Sequence, residues 1–395
     1  FVSFVAGLTW LLPGAGSPVS RAGVPLATVG VVMLSLSAWM PGAEPVLANY
    51  VPVIDHPLFV AGLVVFSAGV LATLCDRRLL PLAEGGASVD PAAVPGLRAA
   101  GLGLVVAALT AVSSVLALPA GLDPTPRFEA LHWGPGHVLQ LVSETAMVSV
   151  WLMLLGAALG RPVLSRRVSA ALFGLLLLPW LAAPLLPMTS PDLGRDAFTQ
   201  LMRWGLFPVV SVFLVAGVVG VVRARASLAD PRVAGFAVSA GLTALGFGLG
   251  AMIRGSNTIV PAHYHASIGA VTAAFMTVTP MLLDRVGVAP ATGRLARAAT
   301  WQPVIYGLGQ MVFATGFAMA GSHGMARKAY GPEQAGRDLV ETVGLGVMGA
   351  GGLVAVAGGL LFLWIVARRW TATRSGAQLP TWRSTWIQLP TQSSG

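Results

Sequence analysis

Ten stretches of this chain are apolar over about 20 residues, the length a helix needs to cross hydrocarbon. They lie at about 24–41, 57–75, 97–119, 133–159, 168–187, 204–222, 233–253, 259–283, 303–320 and 340–367. A shorter apolar piece, Phe1 to Leu12, precedes them and brings the count to eleven. Lipid satisfies no backbone hydrogen bond, so such spans must close their hydrogen bonds internally, as helices. Only 10% of the residues are charged and the mean hydropathy is +0.77, whereas an ordinary soluble domain is roughly a quarter charged. A soluble enzyme, a nucleic-acid binder and a disulfide scaffold are thereby excluded. The sole cysteine, Cys75, allows no internal disulfide, no CxxC zinc site and no CxxCH attachment of haem. The chain reads as an all-α polytopic membrane protein, a single transmembrane domain over 1–395 that ends in a tail at 371–395.

The arginines test this parse. With loops alternating sides, one face holds all but seven of the 24 basic residues, the exceptions being Arg127, Arg195, Arg203, Arg254, Arg327, Lys328 and Arg337. The positive-inside rule makes the richer face cytoplasmic, the C-terminal tail with it, and puts Phe1 outside. An outside start, a first residue that is not Met and an opening piece too short to cross give the expectation of at least one earlier helix before Phe1, in a 12-helix bundle. A cleaved signal sequence is the competing account.

All six histidines, His56, His132, His137, His263, His265 and His323, fall on the outer side of this topology. His137 is about four residues, or ~6 Å, into its span, and His263 and His265 lie at a similar depth in theirs. Ionisable groups at membrane depth are costly and tend to be functional, so three histidines at one level suggest a metal or haem site. The spacing of Pro261-Ala262-His263-Tyr264-His265 narrows the choice. Zinc chelation on a helix needs ligands at i,i+3 or i,i+4, whereas residues at i,i+2 diverge by about 200°. Such a pair can hold two planar cofactors, one on each side; the bland alternative is two interfacial histidines without a ligand. Asn257 or Thr258 is placed to cap this helix, with Pro261 in its first turn. His132, in the loop before the His137 helix, and His323 read as solvent-exposed.

Three motifs then resemble the haem-copper oxidase superfamily, subunit I, which includes oxygen and nitric oxide reductases. VPAHYHASIGAVTAAFM (260–276) resembles its penultimate haem-ligand helix, GSHGMARKAY (321–330) its GMPRRY loop, and WGPGHVLQ (133–140) the helix giving the first histidine to the non-haem metal. The resemblance implies His263 as the proximal ligand of a high-spin haem and His265 as an axial ligand of a low-spin haem. His137 would be a non-haem metal ligand, and Arg327 and Lys328 would approach haem propionates. It further implies one or two haems b near the periplasmic face of a bacterial inner membrane. Its partners would be the lipid bilayer, other membrane and periplasmic electron-transfer subunits of cytochrome c type, or quinone, and no nucleic acid.

The departures carry as much weight. Reductases of this superfamily bear a vicinal His-His pair on the helix after the His137 helix, which here reads VSAALFGLLLLPWLAAPLL, without histidine, tyrosine or carboxylate. Transition metals want three or more such ligands, so copper and non-haem iron are disfavoured. The second axial ligand of the low-spin haem is expected upstream of Phe1, with His56 as the alternative. Glu144, seven residues after His137 and, with Gln140, near the same face, is the candidate for proton chemistry; a protonated carboxyl bonded to a neighbouring helix is the plainer reading. Three functions follow. One is a haem b electron-transfer subunit of a respiratory complex without a functional copper centre. The others are a terminal oxygen or nitric oxide reductase with an atypical binuclear site, and a haem-free structural or transport subunit.

Overall fold

The computed structural model describes residues 17–46, 53–75, 90–285, 287–327 and 336–374. The piece Phe1 to Leu12, Lys328 and the tail from 375 lie outside the described residues. Among the described residues, ten helical segments are long and apolar enough to cross a membrane, one for each stretch marked in the sequence. The chain is an all-α, multi-pass membrane protein. Its helices are α1 (Pro18–Ser37), α2 (Pro57–Leu74), α3 (Val94–Leu116), α4 (Pro124–Leu159), α5 (Arg166–Leu177), α6 (Pro191–Gln200), α7 (Phe207–Arg223), α8 (Pro231–Met252), α9 (Ile259–Arg285), α10 (Gly293–Ser322) and α11 (Leu339–Arg374). Proline opens α1, α2, α6 and α8, where its missing N–H leaves no bond unmade. The chain forms two compact units, 1–149 with 164–213, and 150–163 with 214–395.

In the first unit, α1 and α2 meet through glycines: a Cβ on Gly62 would stand 2.9 Å from the Leu34 nitrogen, an approach that small residues alone permit. A short antiparallel ladder, β1 (Glu44–Val46) with β2 (Val53–Asp55), joins them. Val46, Phe59 and Phe128 form a buried cluster beneath it, and one Arg127 nitrogen reaches both Asp55 carboxylate oxygens at 3.0 Å. These contacts explain why α4 starts at Pro124 and not near 133: its first turns pack on the ladder outside the apolar stretch, so they need not be apolar. His132 is therefore helical and half-buried, its Nδ1 2.8 Å from the Phe128 carbonyl oxygen, not an exposed loop residue. The stretch read as one helix over 168–187 also divides. The α-helix stops at Leu177, and Leu178–Met188 winds as a 3₁₀-helix, because Pro179, Pro184 and Pro187 supply no amide donors. A π-helical segment, Leu201–Leu206, follows α6.

In the second unit, Trp151 donates through Nε1 to Ser239 Oγ at 2.8 Å, and Ser239 donates to the Ala270 carbonyl at 2.8 Å. This chain of bonds ties the end of α4 to α8 and α9. Helices α10 and α11 pack closely; a Cβ on Gly344 would lie 2.8 Å from the Ala320 nitrogen. The glycine run 344–352 thus supplies contact points for helix packing. The Arg369 guanidinium, 2% exposed, donates to the carbonyls of Pro280, Val288 and Ala289 and to Asp284. It bridges the last turns of α9 to the backbone just beyond it, at a helix C-terminal end where a cation is also favoured by the dipole.

Candidate functional site

The start of α9 carries the histidine pair. Asn257 Oδ1 accepts from the Ile259 amide at 3.1 Å, so Asn257 is the cap, while Thr258 donates instead to the Phe317 carbonyl at 3.0 Å. The His263 ring lies against α8, with Nδ1 2.7 Å from the Gly246 carbonyl oxygen. A carbonyl only accepts, so Nδ1 carries the proton and Nε2 keeps its lone pair. That is the tautomer in which a histidine ligates metal through Nε2. The His265 ring lies against α10, 4.6 Å from the Phe313 ring and 5.9 Å from the Phe317 ring. The two imidazoles thus face different neighbouring helices, as i,i+2 spacing requires. His263 is half-buried and His265 exposed.

The loop after α10 folds onto the entry to α9. The Thr258 amide donates to the Met325 carbonyl at 3.0 Å, and the Arg327 amide to the Ser256 carbonyl at 3.2 Å. Arg327 Cζ stands 5.7 Å from the ring centroid of Tyr264, the residue between the two histidines. The structure therefore brings Arg327 to Tyr264 at the start of α9; Lys328 is outside the described residues. His323, exposed as read from the sequence, pairs through Nδ1 with Asp338 Oδ2 at 3.0 Å. The Glu341 amide first, and His323 with it, hold the Asp338 carboxyl below the ordinary carboxylate range.

The remaining candidates lie in the other unit. His137 is 7% exposed, with Nδ1 2.7 Å from the Trp133 carbonyl oxygen and its ring 4.7 Å from Trp133 and 5.8 Å from Phe198. It too carries its proton on Nδ1. Glu144 is 7% exposed, and its Oε2 has no hydrogen-bond partner among the described residues. The neighbouring-helix bond read for it is therefore missing from that oxygen. His56 differs from both His137 and His263. It is the N-cap of α2, and its Nδ1 accepts from the Leu58 amide at 3.1 Å. Its neutral ring keeps its proton on Nε2 and spends the Nδ1 lone pair on the helix end. Among the described residues no three His, Cys, Asp or Glu side chains converge as a metal site.

Four residues that shape the pair were not singled out in the sequence: Gly246, Gly250, Phe313 and Phe317. The glycine alternation Gly246-Phe247-Gly248-Leu249-Gly250 and the phenylalanines four apart were visible, but no sequence pattern tells which helix a histidine leans on.

No family model matches the chain. An uncharacterized protein of Aquifex aeolicus (strain VF5) is 28% identical over 280 residues, 71% of this chain and 70% of that one. An uncharacterized protein of Rickettsia prowazekii (strain Madrid E) is 30% identical over 124 residues, 29% of this chain and 24% of that one. Among solved structures, a haem-copper terminal oxidase determined as a dimer by cryo-EM superposes with a TM-score of 0.70. The alignment covers 97% of this chain and 74% of the oxidase at 16% identity. The fold is that of a haem-copper terminal oxidase.

Within that oxidase-like fold the donor sets differ in what they fit. His263 suits a haem iron: its Nδ1–H is held by a backbone carbonyl, which fixes the ring and leaves Nε2 for the metal. His265 lies beside two phenylalanines that also pack on each other, an apolar setting for a planar macrocycle. Copper is a poorer match, since His137 stands without the two histidines that the α5 sequence would have to add, and transition metals want three or more ligands.

Proposed function

We propose that the chain is a haem b subunit of a membrane respiratory complex, passing electrons without a functional copper centre. The observation that carries this reading is the His263 Nδ1–H bond to the Gly246 carbonyl, on an α9 whose second histidine faces a different helix. Haem, when bound, takes up and releases single electrons. The protein's own part is to hold each ligand ring at a fixed angle and in the ligating tautomer. His263 is assigned to the high-spin haem and His265 to the low-spin haem. Arg327 is assigned to their propionates, for which a guanidinium is a strong charge-assisted donor; Lys328 is assigned with it on the sequence motif alone. The natural partners of such a subunit are further membrane or periplasmic electron carriers, of cytochrome c type, or quinone, on the outer side of a bacterial inner membrane.

A second reading, a terminal reductase of oxygen or nitric oxide with an atypical site, is favoured by two observations. The fold is shared with a terminal oxidase, and Glu144, seven residues after His137, places a buried carboxyl oxygen without a partner among the described residues. Such a carboxyl is chemically apt to carry a proton. Reduced-minus-oxidised spectra, pyridine haemochrome quantification and metal analysis of the purified full chain separate the readings. Haem b without stoichiometric copper, and without turnover of oxygen or nitric oxide, is the expected result. One copper or non-haem iron per chain with cyanide-sensitive turnover overturns it in favour of the reductase, and no haem overturns both.

A further inference from the structure

Helix α8 carries three glycines in five residues, 246, 248 and 250, and two of them meet the His263 ring. They are not equivalent. A Cβ built on Gly250 would stand 3.0 Å from His263 Nδ1 and 3.1 Å from its Cε1, whereas one built on Gly248 meets nothing within 4 Å. Gly246 supplies the carbonyl that the ring holds at 2.7 Å. Gly250 is thus one helical turn beyond the acceptor, on the same side of α8, and its missing side chain is the space in which the imidazole lies. With a methyl group at 250 the ring has to tilt or withdraw by a few tenths of an ångström, and the bond at Gly246 lengthens or breaks.

We propose that Gly250 is a positioning residue: by leaving a slot in α8 it lets His263 lie on the Gly246 carbonyl, and so sets the angle, tautomer and electron donation of the ligand that His263 offers to iron. The inference rests on the reading of His263 as a haem ligand and adds to it the element that tunes that ligand. A histidine whose Nδ1–H is bonded to a carbonyl is a more basic donor, which stabilises ferric over ferrous iron. Loss of the bond raises the midpoint potential of the iron at His263 and loosens its haem. Outer-shell partners of metal-ligating histidines are worth ~10–100-fold in metal affinity, and the Gly250 variant is expected at the lower end because the ring keeps part of its freedom.

The experiment compares Gly250→Ala with Gly248→Ala in the full chain, with His263→Ala as reference. Three readouts are taken: the midpoint potential of the high-spin haem, the iron–histidine stretching band of its ferrous form, and the rate of haem loss to an excess of an apo-globin. Gly250→Ala is expected to raise the potential, shift the band to lower frequency and speed haem loss about tenfold, with the low-spin signal unchanged. Gly248→Ala is expected to match the wild type. Wild-type values in Gly250→Ala, or equal shifts in both variants, overturn the proposal. If His263→Ala itself keeps the high-spin signal, the haem reading of His263 falls instead. Should Gly250→Ala not accumulate, His263→Gly with added ligand decides the matter. Imidazole, which donates a proton and fits the slot, is expected to restore the high-spin spectrum roughly fivefold more tightly than 1-methylimidazole, the worth of one net hydrogen bond. Equal affinity for the two overturns the proposal.

Discussion

His56 and His263 both stand near the N-terminal end of a membrane-spanning helix, yet their imidazoles hold their protons on opposite nitrogens. His56 accepts the Leu58 amide at Nδ1 and ends a helix with it. His263 donates from Nδ1 to the Gly246 carbonyl and turns its lone pair away from the backbone. The residue type is the same and so is the setting; what differs is whether the lone pair is already in use. For His56 to ligate through Nε2 its proton must move to Nδ1, facing the Leu58 donor, which loses a cap worth about 1 kcal/mol and leaves an amide unsatisfied. A histidine on a helix end is therefore read by its hydrogen-bond partner, not by its position alone.

The largest test of that contrast is the pair His263→Ala and His56→Ala. The first is expected to abolish the high-spin haem signal and the second to leave haem content unchanged, by pyridine haemochrome assay; loss of haem from His56→Ala breaks the distinction. Next comes Arg327→Gln, which is expected to keep both haems while shifting their midpoint potentials downward in potentiometric titration, because loss of a cation beside an anionic edge favours the more positive ferric state. Unmoved potentials remove Arg327 from the site. Smaller again is the cap itself. His56→Ala is expected to cost about 1 kcal/mol of stability and His56→Asn to restore most of it, asparagine being a favoured cap; thermal unfolding of the haem-free chain in detergent measures both. Equal destabilisation by Ala and Asn argues that His56 does something other than cap.

The smallest effect concerns Asp230, which caps α8, the helix that carries Gly246 and Gly250. Burial raises its affinity for a proton, but the Arg232 side chain, at 2.6 Å, together with the Arg232 and Val233 amides outweighs that and holds the carboxyl below its ordinary value of 3.8. A carboxylate with a depressed folded pKa stabilises fully above its unfolded value, so this contribution is intact above about pH 4 and fades as pH falls through the lower folded value. Asp230→Asn is expected to flatten that acid limb by a few tenths of a kcal/mol, since the cap survives and only a partly exposed ion pair is lost. An unchanged acid limb contradicts the assignment.

Every described span was legible because bilayer thickness dictates a length of apolar chain that no soluble element needs. Helix ends were less so. The polar turns that begin α4 at Pro124 and α10 at Gly293 lie beyond the apolar stretches, and those of α4 are held by Arg127, Phe128 and their partners, which sequence hydropathy does not register. The division of 168–187 was written in Pro179, Pro184 and Pro187, yet hydropathy carried the reading through them. Of the site, the divergence of His263 and His265 followed from spacing alone. The partners that distinguish a ligand from a cap did not, because Gly246 lies 17 residues from His263 and only the packing of α8 on α9 brings them together.

The central claim is that α9 holds haem through its histidine pair. The most direct test is the reduced-minus-oxidised spectrum of the purified full chain beside that of His265→Ala. A low-spin b-type α-band in the wild type that disappears in His265→Ala, while the high-spin signal assigned to His263 remains, is the predicted result. An α-band of unchanged intensity in the variant, or no haem in the wild type, contradicts the account.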